Sequence, residues 1–325
     1  MRLSLALRPY GFALSRPLTT ASGSWQQRDG WLLRIVCPNT GREGWGEVAP
    51  LQPQERQACE QALADWLTTA EVVVSRDQLE AVLPQLPPAV AFAVGAALAE
   101  LEADLGPWHP APPAAHLLPA GSLMLPELER VLALAVTAPG ITVKWKVAAA
   151  DPELEWLLLH QLLERLPATA RLRLDANAGW DRAEANRWVE VLAADPRLEW
   201  LEQPLAVDDL DGLTRLAERL PVALDESLQA HPVWREQWQG WQVRRPLLEG
   251  DPRPLLRQLQ QGRPRLMVST AFETGIGFRW LALLSRLQWQ GPTPAAPGLA
   301  PGWCPEGPLF SADPVQVWAA AGGAC

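Results

Sequence analysis

The sequence predicts an α/β protein whose larger part is a (β/α) barrel, preceded by a smaller α+β unit. After residue 113, short strand-like segments alternate with helical segments. Short strands joined by crossover helices pair in parallel, and seven such units fit a barrel. The alternative is an open Rossmann-like sheet, but no glycine-rich turn follows the first strand of the repeat.

The N-terminal hundred residues carry both strand and helix patterns. Strands are predicted at Leu3–Leu7, Gly30–Val36 and Gly44–Val48, where apolar and β-branched residues are bounded by turn residues. Helices are predicted at Arg56–Thr68 and Pro88–Leu105. The second helix is rich in alanine and apolar almost all round, which predicts that it is buried.

The proline-rich segment Gly106–Pro113 predicts a domain boundary. Strands are then predicted at Ala115–Pro119, Ile141–Val147, Arg171–Asp175, Leu198–Glu202, Val222–Asp225, Trp241–Arg245 and Arg265–Ser269. The helices between them are predicted at Glu127–Ala138, Pro152–Leu166, Arg182–Ala194 and Leu210–Arg219. We therefore expect an α+β capping domain at 1–113, a modified (β/α) barrel at 114–290, and a C-terminal segment at 291–325 that returns to the cap.

Composition excludes several classes of protein. The formal net charge of the 325 residues is −9 and no basic block is present, so nucleic acid is not the expected partner. No apolar run is long enough to cross a bilayer, and Arg8 interrupts the N-terminus before a secretory segment could form. The four cysteines and four histidines are dispersed, which argues against a disulfide framework or a zinc site. We expect a cytoplasmic protein, monomeric or homo-oligomeric, with a small-molecule partner.

The chain contains only two lysines, Lys144 and Lys146, among 28 basic residues. Arginine stays protonated at any usable pH, whereas lysine loses its proton when neighbours depress its pKa. On a strand the two side chains project from one face, and repulsion between them is expected to lower the pKa of each. This pattern favours a lysine general base. The alternative is a solvent-facing strand with two solubilising lysines.

Three carboxylates follow consecutive predicted strands, Asp175, Glu202 and Asp225. In a barrel the carboxyl ends of the strands converge on one mouth, so the three are expected to meet. A hard divalent cation resolves their repulsion, and Mg²⁺ prefers oxygen ligands. The alternative is that Asp175 and Asp225 cap helices and that Glu202 is an ordinary loop acid.

These residues stand in motifs that resemble the o-succinylbenzoate synthase family of the enolase superfamily. The resemblance covers nearly the whole chain, in the right order, and the motifs are more specific for the superfamily than for the reaction. The matching segments are Gly44-Trp-Gly-Glu-Val-Ala-Pro-Leu51, Ala96-Ala-Leu-Ala-Glu-Leu101, Lys144-Trp-Lys146, Arg173-Leu-Asp-Ala-Asn177, Leu201-Glu-Gln-Pro204, Ala223-Leu-Asp-Glu-Ser227 and Ser269-Thr-Ala-Phe-Glu-Thr-Gly-Ile-Gly277.

The resemblance implies a (β/α)7β-type barrel under an α+β cap, and a Mg²⁺-dependent syn dehydration. The substrate would be 2-succinyl-6-hydroxy-2,4-cyclohexadiene-1-carboxylate, and the product o-succinylbenzoate would feed menaquinone or phylloquinone biosynthesis. Lys146 would remove the proton α to the carboxylate and then act as the acid. Lys144 would hold that carboxylate and depress the pKa of Lys146. Asp175, Glu202 and Asp225 would hold Mg²⁺, with Mn²⁺ as the other candidate.

The resemblance also implies substrate contacts. Arg173 would neutralise substrate charge, Ser269 and Thr270 would contact the succinyl part, and the backbone N–H of Gly298 would bind the distal carboxylate. Gly275 would allow the backbone to approach the ligand closely, or would simply serve a turn. The remaining contacts are Asn177 and Arg28, the latter at the end of a predicted lid loop at Gly23–Arg28.

One position departs from the family pattern. Arg245 stands before Pro246, where the family usually has a second lysine. A racemase or epimerase needs an acid/base on both faces of its substrate, and arginine is a poor base. A syn dehydration needs a base on one face only, and a cation opposite it can act electrostatically. Arg245 therefore favours the dehydratase.

Several alternatives remain open at this stage. Within the superfamily they are N-acylamino acid racemase, dipeptide epimerase and muconate cycloisomerase. A Schiff-base aldolase with Lys144 or Lys146 as nucleophile is an alternative of another class, but it leaves the three carboxylates unexplained. A barrel-derived binding protein without activity is opposed by the intact ligand set and base.

Overall fold

A computed structural model of the protein describes residues 2–20, 23–67, 72–102, 105–106, 108–134 and 140–322. The strands are β1 (Arg2–Thr20), β2 (Gly23–Cys37), β3 (Arg42–Val48), β4 (Val72–Ser75), β5 (His116–Leu118), β6 (Thr142–Lys146), β7 (Arg171–Asp175), β8 (Leu198–Glu202), β9 (Val222–Leu224), β10 (Trp241–Arg244) and β11 (Leu266–Val268). The α-helices are α1 (Pro53–Leu67), α2 (Arg76–Val82), α3 (Pro88–Glu102), α4 (Met124–Leu134), α5 (Pro152–Arg165), α6 (Arg182–Leu192), α7 (Leu210–Ala217), α8 (Glu226–Ala230), α9 (Trp234–Gln237), α10 (Pro246–Glu249), α11 (Arg253–Gln260), α12 (Gly275–Gln290) and α13 (Pro314–Ala320). None of the described helices is long and apolar enough to span a membrane.

The largest difference from the predicted elements is the N-terminal hairpin. β1 and β2 pair antiparallel along most of their length, with Phe12 opposite Arg28 and Ala13 opposite Gln27. The segment Gly23–Arg28 is therefore strand, so its prediction as a loop is wrong, and its role as a lid stays a prediction. The last residues of the helix predicted at Glu127–Ala138, and Pro107 of the predicted boundary, lie outside the described residues.

The chain divides into two compact units. The first comprises residues 1–112, 245–264 and 268–325, and the second comprises 113–244 and 265–267. Residues 245–264 and 268–290, predicted as barrel, are grouped with the first unit because they contact it directly. Arg253 donates to both oxygens of Glu80, at 2.8 Å each, and Trp280 Nε1 donates to Glu100 at 3.0 Å.

In the first unit, four antiparallel strands in the order β3-β2-β1-β4 pack against α3. Every residue of α3 from Ala89 to Ala99 is buried, as its apolar composition predicts. A Cβ at Gly44 would lie 1.9 Å from the carbonyl oxygen of Ala97, and one at Gly46 would lie 2.1 Å from that of Ala93. The two glycines of the Gly44-Trp-Gly46 motif therefore allow β3 to lie directly on the helix.

In the second unit, the strands form a parallel sheet in the order β11-β10-β9-β8-β7-β6-β5. Because the order follows the sequence, each strand is joined to its neighbour by a crossover segment. Large apolar side chains, among them Trp145 and Trp188, are fully buried between the sheet and these helices. The predicted α/β fold class is confirmed by this sheet and by the antiparallel cap sheet.

Candidate active site

The register of the parallel sheet aligns the polar strand ends of the second unit. Lys146 at the end of β6 is the cross-strand partner of Asp175 at the end of β7, and Asp175 is the partner of Glu202 at the end of β8. Asp225 directly follows β9 and is the N-cap residue of α8. Each side chain is placed by a regular strand whose interior is buried, so the sheet fixes the spacing of the polar groups.

Backbone strain is concentrated at these strand ends. Ala148, Asn177, Ala178 and Gln203 all have positive φ, between 37° and 63°. Residues other than glycine adopt this left-handed region at an energetic cost, and such strain collects at functional sites. The chain therefore leaves β6, β7 and β8 in turns that the surrounding contacts must enforce.

Two buried polar side chains, Glu155 and Gln203, fix the backbone that follows β6 and β9. The carboxylate of Glu155 accepts hydrogen bonds from the backbone N–H groups of Ala148, Ala149 and Ala150, at 2.8–3.0 Å. Oε1 of Gln203 accepts from the backbone N–H of Asp225, at 3.2 Å, and of Ser227, at 3.0 Å. Glu155 thus fixes the loop after Lys146, and Gln203 fixes the start of α8. Gln203 lies within the Leu201–Pro204 motif and Glu155 lies outside the motifs, and nothing in the sequence specifies the partners of either residue.

The ammonium of Lys144 lies among the carboxylates. Its Nζ is 2.8 Å from Oδ2 of Asp175 and 2.5 Å from Oε1 of Glu202. Burial by itself lowers the pKa of Lys144, but the charges of Asp175, Glu202 and Asp225 outweigh it and raise the pKa above its ordinary value. The expectation that repulsion lowers the pKa of both lysines is therefore wrong for Lys144, because the attraction of the neighbouring carboxylates determines the direction of its shift.

Burial and the lysine charges act in opposite directions on the pKa values of the carboxylates. Burial raises the pKa of Glu202 to about 7, although the Lys144 charge opposes the rise. Burial also acts on Asp175, but Lys144 and Lys146 outweigh it and hold the pKa of Asp175 below its ordinary value. All three carboxylates are at most 2% exposed. A buried set of this kind requires a compensating cation.

The donor set fits a hard divalent cation, because every candidate ligand is a buried carboxylate oxygen at one edge of the sheet. In the conformation described, no group of three acidic, imidazole or thiol side chains within the described residues is already arranged around a metal position. The Lys144 ammonium instead stands between Asp175 and Glu202, as a cation does. Lys144 therefore contacts two of the carboxylates that a metal ion would use.

Lys146 has a different environment from Lys144. Its Nζ donates to Oδ1 of Asn177 at 2.7 Å and lies 3.9 Å from Oδ2 of Asp175. Its side chain is 33% exposed, whereas that of Lys144 is 9% exposed. Of the two amines, Lys146 is the one that a ligand can reach.

Asn177 joins Lys146 to a further acid. Nδ2 of Asn177 donates to Oε1 of Glu226 at 2.9 Å. Burial, reinforced by the charges of Asp225 and Asp175, raises the pKa of Glu226 to about 8. Glu226 lies in the Ala223–Ser227 motif, but no sequence pattern indicates that its partner is Asn177.

Arg173 does not reach the surface of the site. Its side chain is fully buried, with Nε 2.6 Å from Oε2 of Glu199 and the guanidinium 3.9 Å from the centre of the Trp200 ring. In this position Arg173 links β7 to β8 through Glu199 and Trp200. Its predicted neutralisation of substrate charge stays a prediction.

The remaining predicted residues lie in the first unit. The guanidinium of Arg28 is buried and donates to the backbone carbonyls of Pro50, Ala49 and Ala271, at 2.6–3.1 Å. These contacts give Arg28 a structural role, and its predicted contact with substrate stays a prediction. Nη1 of Arg245 donates to the carbonyl of Thr270 at 2.7 Å.

The hydroxyls of the serine–threonine pair bond within the protein. Ser269 Oγ donates to the carbonyl of Gly298 at 3.2 Å, and Thr270 Oγ1 lies 2.8 Å from Oε1 of Glu273. The N–H of Gly298 donates to the carbonyl of Val268 at 2.8 Å. This N–H is therefore paired within the protein through the strand-like contact with residues 268–270, and its predicted contact with a substrate carboxylate stays a prediction.

Gly275 is required by contact with the chain itself. A Cβ there would lie 2.1 Å from the carbonyl oxygen of Ser311. Glycine at this position therefore allows the C-terminal segment to lie against the start of α12. The predicted close approach of a ligand to Gly275 stays a prediction.

Comparisons with known proteins agree with the motifs. Residues 4–101 match the family model described as MenC, N-terminal domain, and residues 129–238 match that described as enolase C-terminal domain-like. The chain is 36% identical over 287 residues to the o-succinylbenzoate synthase of Thermosynechococcus vestitus, covering 83% of this chain and 84% of that protein. It is 30% identical to the o-succinylbenzoate synthase of Edwardsiella ictaluri, covering 83% and 82% respectively.

A solved structure gives the same result. The o-succinylbenzoate synthase of Thermosynechococcus elongatus BP-1, complexed with Mg in the active site, aligns with a TM-score of 0.79 and 32% identity. The alignment covers 97% of this chain and 99% of that one. The similarity therefore extends over both compact units.

Proposed function

The chain belongs to the o-succinylbenzoate synthase family of the enolase superfamily, and we propose from this premise how its residues carry out the reaction. The enzyme is a hydro-lyase that dehydrates 2-succinyl-6-hydroxy-2,4-cyclohexadiene-1-carboxylate to o-succinylbenzoate, a step of menaquinone biosynthesis. The reaction removes a proton α to a carboxylate and expels hydroxide, which leaves as water. Formation of the aromatic ring supplies the driving force, so the main barrier is removal of the weakly acidic proton.

Lys146 is the proposed base. The observation that carries this assignment is the contrast between the two lysines: Lys146 is partly exposed and held by a neutral amide, while Lys144 is buried between two carboxylates. A base must reach the proton that it removes, and only Lys146 is accessible. Nζ of Lys146 would take the α-proton and then give a proton to the departing hydroxyl group.

Asp175, Glu202 and Asp225 are the proposed ligands of Mg²⁺, with Mn²⁺ as the other candidate ion. The ion, when bound, would supply electrostatic stabilisation of the negative charge that develops on the substrate carboxylate. The support is the buried all-oxygen donor set, together with the Mg present in the related structure. Lys144 would leave its position between Asp175 and Glu202 and hold the substrate carboxylate as a fixed positive charge.

The proposed role of Arg245 is electrostatic. An arginine does not lose its proton in the usable pH range, so it cannot serve as a second base. A dehydration with one base tolerates this residue, whereas a proton transfer between opposite faces does not. Contacts of Ser269 and Thr270 with the succinyl part remain predictions from the resemblance. The cytoplasmic location and the small-molecule carboxylate partner are proposed from the sequence pattern.

The base assignment is tested with the variant Lys146→Ala. Purified wild-type protein and the variant are compared for the loss of diene absorbance, and the product is identified by its mass. We expect turnover in the wild type and a decrease of at least about 100-fold in the variant, the usual effect of losing a general base. A variant that retains wild-type turnover would remove Lys146 from the mechanism.

A further inference from the structure

The proposed reaction uses Lys146 as the base. It gives no role to Asn177 and Glu226, which are hydrogen-bonded in series to the Lys146 amine. Oδ1 of Asn177 accepts from Nζ of Lys146 at 2.7 Å, and Nδ2 of the same amide donates to Oε1 of Glu226 at 2.9 Å. The three groups form a chain that runs from the amine to a carboxyl. All three residues belong to the second compact unit.

The orientation of the Asn177 amide decides whether the Lys146 ammonium faces a hydrogen-bond acceptor or a donor. An asparagine amide has nearly the same shape after a half-turn, which exchanges its oxygen and its NH2 group. With the oxygen towards Lys146, the ammonium has an acceptor; with the NH2 group there, two donors oppose each other. Glu226 accepts from the NH2 group and so holds the oxygen on the Lys146 side.

The backbone holds Asn177 in place for this contact. Its φ is 43°, and that of Ala178 is 63°. The backbone N–H of Asn177 donates to Oδ1 of Asp175 at 3.1 Å, and that of Ala178 donates to the carbonyl of Gln203 at 2.8 Å. Asparagine tolerates the left-handed region better than most residues. The turn therefore fixes where the amide lies, and Glu226 fixes which way it faces.

The buried position of Glu226 destabilises the fold, and a role in orienting Asn177 would explain why a glutamate is found there. Its Oε2 is buried and has no hydrogen-bond partner within the described part of the chain. A buried polar atom without a partner is destabilising and is uncommon in folded proteins. The chain nevertheless has glutamate here, directly after Asp225, where a smaller or apolar residue would avoid that cost.

We propose that Asn177 and Glu226 are positioning residues for Lys146, with Glu226 acting only through the orientation of the Asn177 amide. This inference rests on the proposed function, in which Lys146 is the base. Neither residue takes up the substrate proton. Their effect is to hold Nζ at one place beside Asp175, and misplacement of a reacting group by about 1 Å costs as much as 100-fold in rate.

The composition of the chain allows a direct test that needs no substrate. Because Lys144 and Lys146 are the only lysines, protein labelled with ¹³C and ¹⁵N lysine gives side-chain signals from two residues, assigned with Lys146→Met. We expect Asn177→Ala to shift the Lys146 signal. Glu226→Leu should shift it as well, although Glu226 does not contact Lys146. In the Asn177→Ala background, Glu226→Leu should cause no further shift.

Matched variants separate positioning from general damage to the fold. Glu226→Gln keeps an oxygen that can accept from Nδ2 of Asn177, so it should leave the Lys146 signal close to that of the wild type. Asn186→Ala is the control for loss of an asparagine, because Asn186 lies on α6 and bonds to Arg182 and Arg219. It should leave the signal unchanged.

The same variants make a kinetic prediction. Asn177→Ala and Glu226→Leu should each lower kcat roughly 10- to 100-fold with little change in KM, and the double variant should be no slower than the slower single variant. Independent, multiplying losses would overturn the proposal, as would a Glu226→Gln variant as slow as Glu226→Leu. If the wild type shows no turnover, the proposed function fails, and the NMR shifts alone decide whether Glu226 acts on Lys146 through Asn177.

Discussion

Nζ of Lys144 lies 2.5 Å from Oε1 of Glu202, with both side chains buried. The contact neutralises part of a cluster of acids that would otherwise be costly to bury. It also places a protein cation where the proposed mechanism requires a metal ion. Lys144 and Mg²⁺ are therefore expected to compete for the same carboxylates.

Replacement of Lys144 by methionine tests this competition. Without metal, Lys144→Met should destabilise the protein by about 3–5 kcal/mol, since it leaves buried carboxylates without their partner. Added Mg²⁺ should then raise the Tm of the variant more than that of the wild type, because binding to the native state stabilises it and no ammonium must be displaced. Thermal unfolding with and without Mg²⁺ measures both effects.

The control for Lys144→Met is Arg215→Met. Arg215 pairs with Asp211 on the surface, with side chains 71% and 58% exposed. Such a pair contributes at most about 1 kcal/mol, and its loss should not alter the response to Mg²⁺. Equal Mg²⁺-induced shifts in Lys144→Met and in the wild type would show that Lys144 and the metal do not share ligands.

Arg245 gives a prediction about the reaction class. Arg245→Ala should slow turnover far less than Lys146→Ala, because one base is sufficient for a syn dehydration. Parallel steady-state rates on the cyclohexadiene carboxylate measure the difference. Complete and equal loss in both variants would mean that Arg245 is as essential as the base, contrary to an electrostatic role.

Glu47 gives a prediction about stability in the first unit. Its fully buried carboxylate accepts from the hydroxyl of Tyr10, the N–H and hydroxyl of Thr274, and the N–H of Gly277, at 2.6–3.1 Å. It therefore joins β3 to the start of α12. Glu47→Ala should cost at least roughly 3 kcal/mol, since several buried donors lose their acceptor.

Tyr10→Phe is the matched comparison for Glu47→Ala. It removes one hydrogen bond and should cost about 1 kcal/mol. The midpoints of urea unfolding rank the two variants. A Glu47→Ala midpoint no lower than that of Tyr10→Phe would show that the backbone donors at α12 find other acceptors.

Glu273 predicts a pH dependence of stability. Burial and the neighbouring Glu47 raise the pKa of Glu273 to about 7, and Tyr10 and Cys304 also interact with it electrostatically. The folded state then holds this proton more tightly than the unfolded state. Stability from this group is present below pH 4.5 and is lost as pH rises to about 7.

The test for Glu273 is the difference between the wild type and Glu273→Gln, because other buried acids titrate in the same range. The glutamine variant should gain stability relative to the wild type as pH rises from 5 to 8, by roughly 3 kcal/mol. Tm is measured across this range. Parallel pH curves for the two proteins would rule out Glu273 as a contributor.

The sheet and its polar edge could be predicted because the end of each strand can be recognised in the local sequence. β7 and β8 have the predicted bounds, since short apolar runs end there in Asp175 and Glu202. The alignment of Lys146, Asp175 and Glu202 then follows from parallel pairing. None of this required knowledge of a contact distant in sequence.

Contacts with backbone groups that are distant in sequence could not be predicted from the sequence. Arg28 bonds to carbonyls more than 240 residues away in sequence, and the N–H of Gly298 pairs with Val268. The pKa of Lys144 was expected to fall because only the neighbouring lysine was visible in the sequence. Its direction is set by carboxylates that the fold brings to it.

The central claim is tested most directly by turnover of 2-succinyl-6-hydroxy-2,4-cyclohexadiene-1-carboxylate by the purified protein, measured with Mg²⁺ and with EDTA. We predict that the diene absorbance is lost with Mg²⁺, that o-succinylbenzoate forms, and that both stop in EDTA. Tight Mg²⁺ binding without turnover would contradict the assigned reaction. N-acylamino acids and dipeptides would then be the next substrates to examine.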